Sequence, residues 1–141
     1  MTGSHANLQL PLFAFGTLRR GECNHHYLAG HYERVLAARL PDFARVAELS
    51  IDRRLGAEVP GELFFLNPAR YAITLRDCDR LEELPPRQLI GLDYRRLPVR
   101  VQTTAGDFVA WAYTRPDVEC DSDLQSLLDA EQKRLRADID G

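Results

Sequence analysis

The sequence predicts an α+β domain, and three observations carry that reading. Apolar runs of strand length recur between turn residues. Two longer segments have helix punctuation at their ends, and no repeat, linker or low-complexity tract divides the 141 residues. A chain of this size can bury a core without disulfide or metal staples, so one domain of about six strands and three helices is expected.

Residues 1–7 are polar and are predicted to fray, leaving 8–141 as the domain. Leu10 to Phe15 is apolar and strand-like, and the following Gly16–Glu22 segment turns the chain toward a first helix starting near Asn24, a good N-cap type. The runs "VLAARL" and "FARVAELSI" read as strands around a turn at Pro41-Asp42. "VPGELFFL" is a short strand whose Pro60-Gly61 entry favours a bend or a sheet edge. Asn67 then caps, Pro68 takes the first helical position, and a helix runs to Leu84, where Pro85-Pro86 stops it. "YRRLPVRVQTT", a turn at Ala105-Gly106-Asp107 and "FVAWAYT" make a hairpin, with Arg96, Pro98 and Arg100 alternating against Leu97, Val99 and Val101. The last helix begins at Ser122, where Ser-x-x-Gln to Gln125 has capping-box spacing and Leu124, Leu127, Leu128 and Leu135 share one face.

Composition narrows the partners. A net charge of -3, from 18 basic and 21 acidic residues mixed along the chain, argues against a nucleic-acid backbone as the main partner. Lys133 is the only lysine, which points to coding bias before any phosphate-binding role. Cys23, Cys78 and Cys120 are odd in number and lack C-x-x-C spacing, so neither a disulfide framework nor a zinc ribbon is indicated and a reducing cytoplasm is expected. No apolar run reaches membrane-span length, and the N-terminus lacks the pattern of a signal peptide. The expectation is a soluble cytoplasmic protein with a small-molecule partner, no nucleic acid and no membrane.

The stretch "FAFGTLRRGECNHHYL" offers several chemistries. A P-loop needs glycines leading to Gly-Lys-Ser/Thr, and this segment has Gly16 and Gly21 but no lysine. Metal ligation needs three or four converging ligands, and beyond His25 and His26 the histidines are His5 in the tail and His31 close by. Cys23 beside these histidines is not a dyad, because catalytic partners converge in space rather than in sequence. The ordinary reading is a set of polar residues at a helix start.

The long helix is more informative. Projected at about 100° per residue, it puts Glu82 between Leu75 and Cys78, near Tyr71, while Glu83 falls beside Asp79, Arg76 and Arg80 on a solvated ion-pair face. A carboxylate on an apolar face is costly, and burial raises its pKa toward the range useful for proton transfer. On pattern alone a structural or simply exposed Glu82 is the commoner case.

Taken together, the strand-end "FGTLRRGECNHHYL", the "VPGELFFL" strand, the "LRDCDRLEEL" helix and "YRRLPVRV" resemble the γ-glutamylcyclotransferase family, including its γ-glutamylamine cyclotransferase-like members. That family shows a Tyr-Gly-Ser/Thr-Leu turn followed by Arg-Gly and Asn-His, a Gly-Glu-hydrophobic-Tyr/Phe strand, a Leu-Asp-x-x-Glu helix and a Tyr-x-Arg strand. The matches fall in the same order over most of residues 10 to 114. Three positions depart: Phe15 stands where Tyr is frequent, Cys78 replaces the Leu of Leu-Asp, and Glu83 follows Glu82 where Gly is common.

The resemblance implies a small mixed β-barrel with flanking helices, with the turn and the helix meeting at a cavity. It also implies a reaction in which the substrate's own α-amine attacks its γ-amide carbonyl, closing 5-oxoproline and expelling an amine or amino acid. No metal, cofactor or protein nucleophile is needed, because the nucleophile is already in the substrate. Glu82 would be the general base and then the general acid. Backbone amides of Phe15, Gly16, Thr17 and Leu18 would bind the substrate's oxygens, with Gly16 allowing close approach. Tyr94 and Tyr113 are candidates for pocket walls or hydroxyl contacts, against ordinary core packing. Two other classes stand beside this one: a non-catalytic module that keeps the cavity to bind a small ligand or a partner, and a hydrolase using Cys23. Glutathione, γ-glutamyl amino acids and γ-glutamyl-lysine share the same reacting half, so the leaving group is open.

Overall fold

Two long strands make the frame of the molecule. In the computed structural model, which describes residues 9–137, β2 (Tyr32–Ala47) and β3 (Ser50–Leu66) pair antiparallel along most of their length. The remaining strands are β1 (Leu12–Ala14), β4 (Arg95–Thr103) and β5 (Gly106–Thr114). They close a five-stranded barrel in the order β1-β3-β2-β4-β5. Every neighbouring pair is antiparallel except β1 and β5, which meet in parallel at Leu12 and Trp111. There the Trp111 amide donates to the Pro11 carbonyl over 2.8 Å and removes the last free edge. The α+β class and the small mixed barrel expected from the sequence are what the chain forms. The segment 1–7, expected to fray, lies outside the described residues.

The expected turn at Pro41-Asp42 is instead an irregularity inside β2. Pro41 pairs with Glu58 and Phe43 with Arg53, so β3 makes a four-residue excursion, Arg54 to Ala57, opposite Asp42 alone. Asp42 takes a φ of 64°, which aspartate tolerates better than most residues, and its Oδ1 accepts the Gly56 amide at 2.9 Å. The first expected strand therefore runs on through Phe43 to Ala47, and the true reversal, at Glu48-Leu49 between the paired Ala47 and Ser50, falls inside the second expected strand, whose last residues Ser50 and Ile51 begin β3. Pro60 is likewise no sheet edge. β3 lies between β1 and β2 in the barrel, and Pro60, paired with Arg39, sits just before the stretch that pairs with β1.

Helix α1 (Tyr71–Leu81) is preceded by a 3₁₀ turn over Pro68–Arg70, and α2 (Gln125–Ala137) by one over Ser122–Leu124. Three expected caps are used otherwise. Asn24 precedes only a 3₁₀ turn, His25–Tyr27, which stands where a first helix was expected. Asn67 sends its amide to the Gly30 carbonyl, and Gln125 bonds Asp129 in place of a capping box with Ser122. On α2, Leu128 is buried while Leu127 and Leu135 are partly buried against the core.

Along the β4–β5 hairpin, opposite residues share a face. Leu97, Val99 and Val101 lie with Ala112, Ala110 and Phe108, and Arg96 and Pro98 with Tyr113 and Trp111. The first set packs inside the barrel. The second lies beneath the helices, so the alternation read from the sequence is real but its polar face is covered at the start of β4. Arg96 is the largest side chain with no solvent exposure.

Candidate functional site

The turn that leaves β1 is held by its carbonyl groups. The Phe15 carbonyl accepts from the Arg45 guanidinium, the Gly16 carbonyl from the Arg19 amide at 3.2 Å and from Arg19 Nε at 3.1 Å, and the Thr17 carbonyl from the Asn24 amide at 3.0 Å. The Leu18 carbonyl lies 2.9 Å from His25 Nδ1, and because a carbonyl cannot donate, that nitrogen does; His25 Nε2 lies 3.4 Å from the Tyr32 hydroxyl. The amides of Gly16, Thr17 and Leu18 donate to no acceptor among the described residues. A turn whose carbonyls are occupied and whose amides are free is suited to an anion or a polarised carbonyl oxygen.

β3 fixes where this turn sits. Gly61 runs so close to β1 that a Cβ would strike the Ala14 carbonyl oxygen and come within 2.8 Å of the Phe13 ring. Next to it, Glu62 takes the Arg20 amide and Nε, each at 2.8 Å. The Gly-Glu pair thus locks the strand and the turn together.

A cavity of about 280 Å³ opens beside the turn. All the residues singled out from the sequence line it: Phe15, Gly16, Thr17, Leu18, Glu82, Tyr94 and Tyr113. Leu49, at the tip of the β2–β3 hairpin, closes another side, with Cδ2 3.5 Å from where a Gly16 Cβ would lie. Tyr94 holds that tip by donating to the Leu49 carbonyl at 2.9 Å. The Tyr113 hydroxyl is buried and donates to Asp79 Oδ1 at 2.6 Å, so Tyr113 offers the cavity its ring rather than its hydroxyl. Phe15 needs no hydroxyl to be held, since its ring lies 5.3 Å from the Arg45 guanidinium carbon. Cys23 is exposed and outside the cavity lining, and among the described residues no three of His, Cys, Asp and Glu gather as a metal site.

Glu82 is the residue that follows α1, not a member of its interior. The helix ends in a Schellman turn: Leu84 donates to the Asp79 carbonyl at 2.9 Å and Glu83 to the Arg80 carbonyl at 3.0 Å, with Glu83 at a φ of 62°. The helix therefore stops before Pro85-Pro86, which only bar its resumption. Half-buried, with no hydrogen bond or ion pair to its carboxylate among the described residues, Glu82 has its pKa pushed up to about 7. Burial is the main cause, and the negative charges of Asp79 and Glu83 add to it. The adjacent Cys78 thiol is pushed up to about 12, mainly by burial, and is inert as a nucleophile.

Sequence reasoning missed what stands behind Glu82. Asp79, expected on a solvated face, is buried and gripped by Arg96 of β4, Nε to Oδ1 at 2.8 Å and Nη2 to Oδ2 at 3.0 Å. Arg96 also has Nη1 3.0 Å from Glu131 of α2, a charge contact outside good hydrogen-bond alignment, and lies 4.6 Å over the Trp111 ring. Glu131 in turn takes Arg134 in two bonds. The one sequence signal was that Glu131 follows Leu128 by three residues, on the apolar face of the last helix. Asn24, weighed only as a cap, also lines the cavity and bonds the Thr17 hydroxyl at 2.9 Å.

The fold has known counterparts. It is similar to YkqA from Bacillus subtilis, with a TM-score of 0.57 and 22% identity over 82% of this chain and 38% of that one. This chain therefore spans well under half the length of YkqA. At5g39720.1 from Arabidopsis thaliana gives a TM-score of 0.55 and 18% identity over 96% of this chain and 92% of that one. A protein named gamma-glutamyl cyclotransferase gives 0.53 and 18% over 89% and 79%. At these identities the likenesses show the fold alone. No curated protein matches the sequence significantly. The profile of one family, described as gamma-glutamyl cyclotransferase, AIG2-like, matches residues 12–133, which takes in every strand, helix α1 and the cavity. The chain belongs to the gamma-glutamyl cyclotransferase, AIG2-like family.

Proposed function

We propose that the protein is a γ-glutamylcyclotransferase that converts a γ-glutamyl amine or peptide to 5-oxoproline, with Glu82 moving the proton. The observation that carries this is the pairing, in one cavity, of an unpartnered glutamate whose pKa is near 7 with a turn whose amides are free. At neutral pH such a carboxylate is protonated in about half the molecules, which suits a group that must accept a proton and then return it.

Glu82 takes a proton from the substrate's α-ammonium. The freed amine attacks the γ-carbonyl carbon, and the new C–N bond closes the ring while negative charge develops on the carbonyl oxygen. The amides of the Gly16–Leu18 turn stabilise that oxygen or hold the α-carboxylate. The bond to the leaving nitrogen then breaks as Glu82 returns its proton there, and the second proton, shed by the ring nitrogen as it becomes the lactam N–H, is taken up by the departing amine, which leaves as its ammonium. Nothing is oxidised and no water is consumed. Holding the γ-glutamyl chain bent, so that its two ends meet, is the remaining contribution, and the walls formed by Leu49, Tyr94 and Tyr113 supply it.

The test is 5-oxoproline release from a panel of γ-glutamyl amines and dipeptides, with wild type and Glu82→Gln side by side. Release by wild type and a loss of at least about 100-fold in the variant is expected. Full activity in Glu82→Gln removes Glu82 from the mechanism, and no release from any substrate removes the cyclotransferase.

A further inference from the structure

We propose that Glu83 is a specificity residue of this cavity, selecting γ-glutamyl substrates whose leaving amine carries a second, positively charged nitrogen and no carboxylate: the diamine and polyamine class. The inference rests on the cyclotransferase reading of the site and narrows its leaving group.

Charge in the cavity is one-sided. Among the described residues, Glu82 and Glu83 are its only charged lining residues. The nearby arginines are directed elsewhere: Arg19 to the Gly16 carbonyl, Arg20 to Glu62, and Arg45 to the Phe15 and Glu48 carbonyls. A leaving group that ends in a carboxylate, as an amino acid or dipeptide does, would lose hydration there and gain no cation. An ammonium tail would gain one.

Glu83 is also unspent. Arg76 pairs with Asp77 and Arg96 with Asp79, and no cation pairs with Glu83 among the described residues. Glu82 is committed to the proton, so Glu83 is the carboxylate left for binding.

The backbone adds an independent argument. Glu83 occupies the left-handed position of the Schellman turn, with a φ of 62°, where glycine is the residue of least strain. A side chain kept in a strained conformation at the rim of a cavity points to a role for that side chain.

Three substrates of matched length separate the possibilities: the γ-glutamyl amides of 1,4-diaminobutane, pentylamine and 5-aminopentanoate, whose tails end in an ammonium, a methyl and a carboxylate. The measurement is kcat/KM for 5-oxoproline release. The cationic substrate should lead the neutral one about fivefold, the effect of one partly exposed charge pair, with the anionic substrate last. That ratio should fall to near one in Glu83→Gln and in Glu83→Gly, the latter suiting the left-handed backbone so that folding is not at issue. It should also collapse in wild type at salt on the order of 0.5 M. Equal kcat/KM on all three, or a preference that survives both substitutions, overturns the role of Glu83 and leaves the cyclotransferase standing. Release from none of them or of the wider panel overturns both.

Discussion

Asp79 and Arg96 form a two-point ion pair, at 2.8 and 3.0 Å, where the arginine side chain is wholly removed from solvent. The pair joins α1 to β4, and it sits one helical turn before Glu82. Through Tyr113 it reaches the cavity wall, and through Glu131 it reaches α2.

Breaking this pair from one side should be expensive. Asp79→Asn leaves the Arg96 charge buried and poorly compensated, and a loss of about 3–5 kcal/mol in urea unfolding is expected. Tyr113→Phe keeps the ion pair and removes one hydrogen bond to a charged group, so a smaller loss of about 1.5–3 kcal/mol is expected. If both variants fold, Asp79→Asn should also move the neutral-pH limb of kcat/KM to lower pH, because the Asp79 charge is the second cause of the raised Glu82 pKa.

Glu82 itself should make the protein less stable as pH rises. Its pKa is about 7 in the folded state against 4.5 unfolded, so below 4.5 both states hold the proton and there is no penalty. Between 4.5 and 7 only the unfolded state has released it, and stability is lost progressively, reaching a deficit on the order of 3 kcal/mol that is complete above 7. Glu82→Gln should flatten this part of the stability curve and be the more stable protein at pH 8. Urea titrations of both proteins from pH 4 to 8 check it; parallel curves would mean that the carboxylate is ordinarily solvated.

Glu83→Gly should raise stability. It removes a left-handed strain of about 1–2 kcal/mol, offset in part by greater freedom in the unfolded chain, for a net gain of about 0.5–1 kcal/mol. It also removes a negative neighbour of Glu82, so the pH limb of any surviving activity should move down. Thermal unfolding and a pH–rate profile read the two effects separately.

Gly61→Ala should damage the site from a distance. The added Cβ meets the Ala14 carbonyl and the Phe13 ring, and backbone cannot yield as a side-chain tip can. A loss of about 1–3 kcal/mol is expected from overpacking. Because β1 leads straight into the Phe15–Leu18 turn, KM for a γ-glutamyl substrate should rise in the folded fraction. Gly56→Ala, with open space around its Cβ position, should raise only backbone strain and leave KM unchanged.

Much was legible in local pattern. The strand before Gly16, the β4–β5 hairpin and the two helices follow from periodicity and punctuation, whereas the helical projection fails for the two glutamates, which lie past the end of α1, and for Asp79, which is buried rather than solvated. Tertiary structure decided three things that local pattern does not contain. Alternation along β4 marks two faces but not which is wet; Arg96 is buried because α1 and α2 bring Asp79 and Glu131 onto its face. Pro41-Asp42 has turn chemistry, yet the chain runs on, because a four-residue excursion in the partner strand absorbs the irregularity. The end of α1 carries no glycine or asparagine to announce it, and the structure nonetheless closes it in a Schellman turn with Glu83 in the left-handed region and Leu84 buried in the core. The sequence by itself determined the strand before Gly16, the β4–β5 hairpin and the approximate extent of two helices, since these depend on residues close in the chain, and it took the family resemblance to raise Glu82 above an ordinary structural glutamate. Only the tertiary structure decided which charges are buried together and which amides are left free, because those depend on partners that folding brings from distant positions.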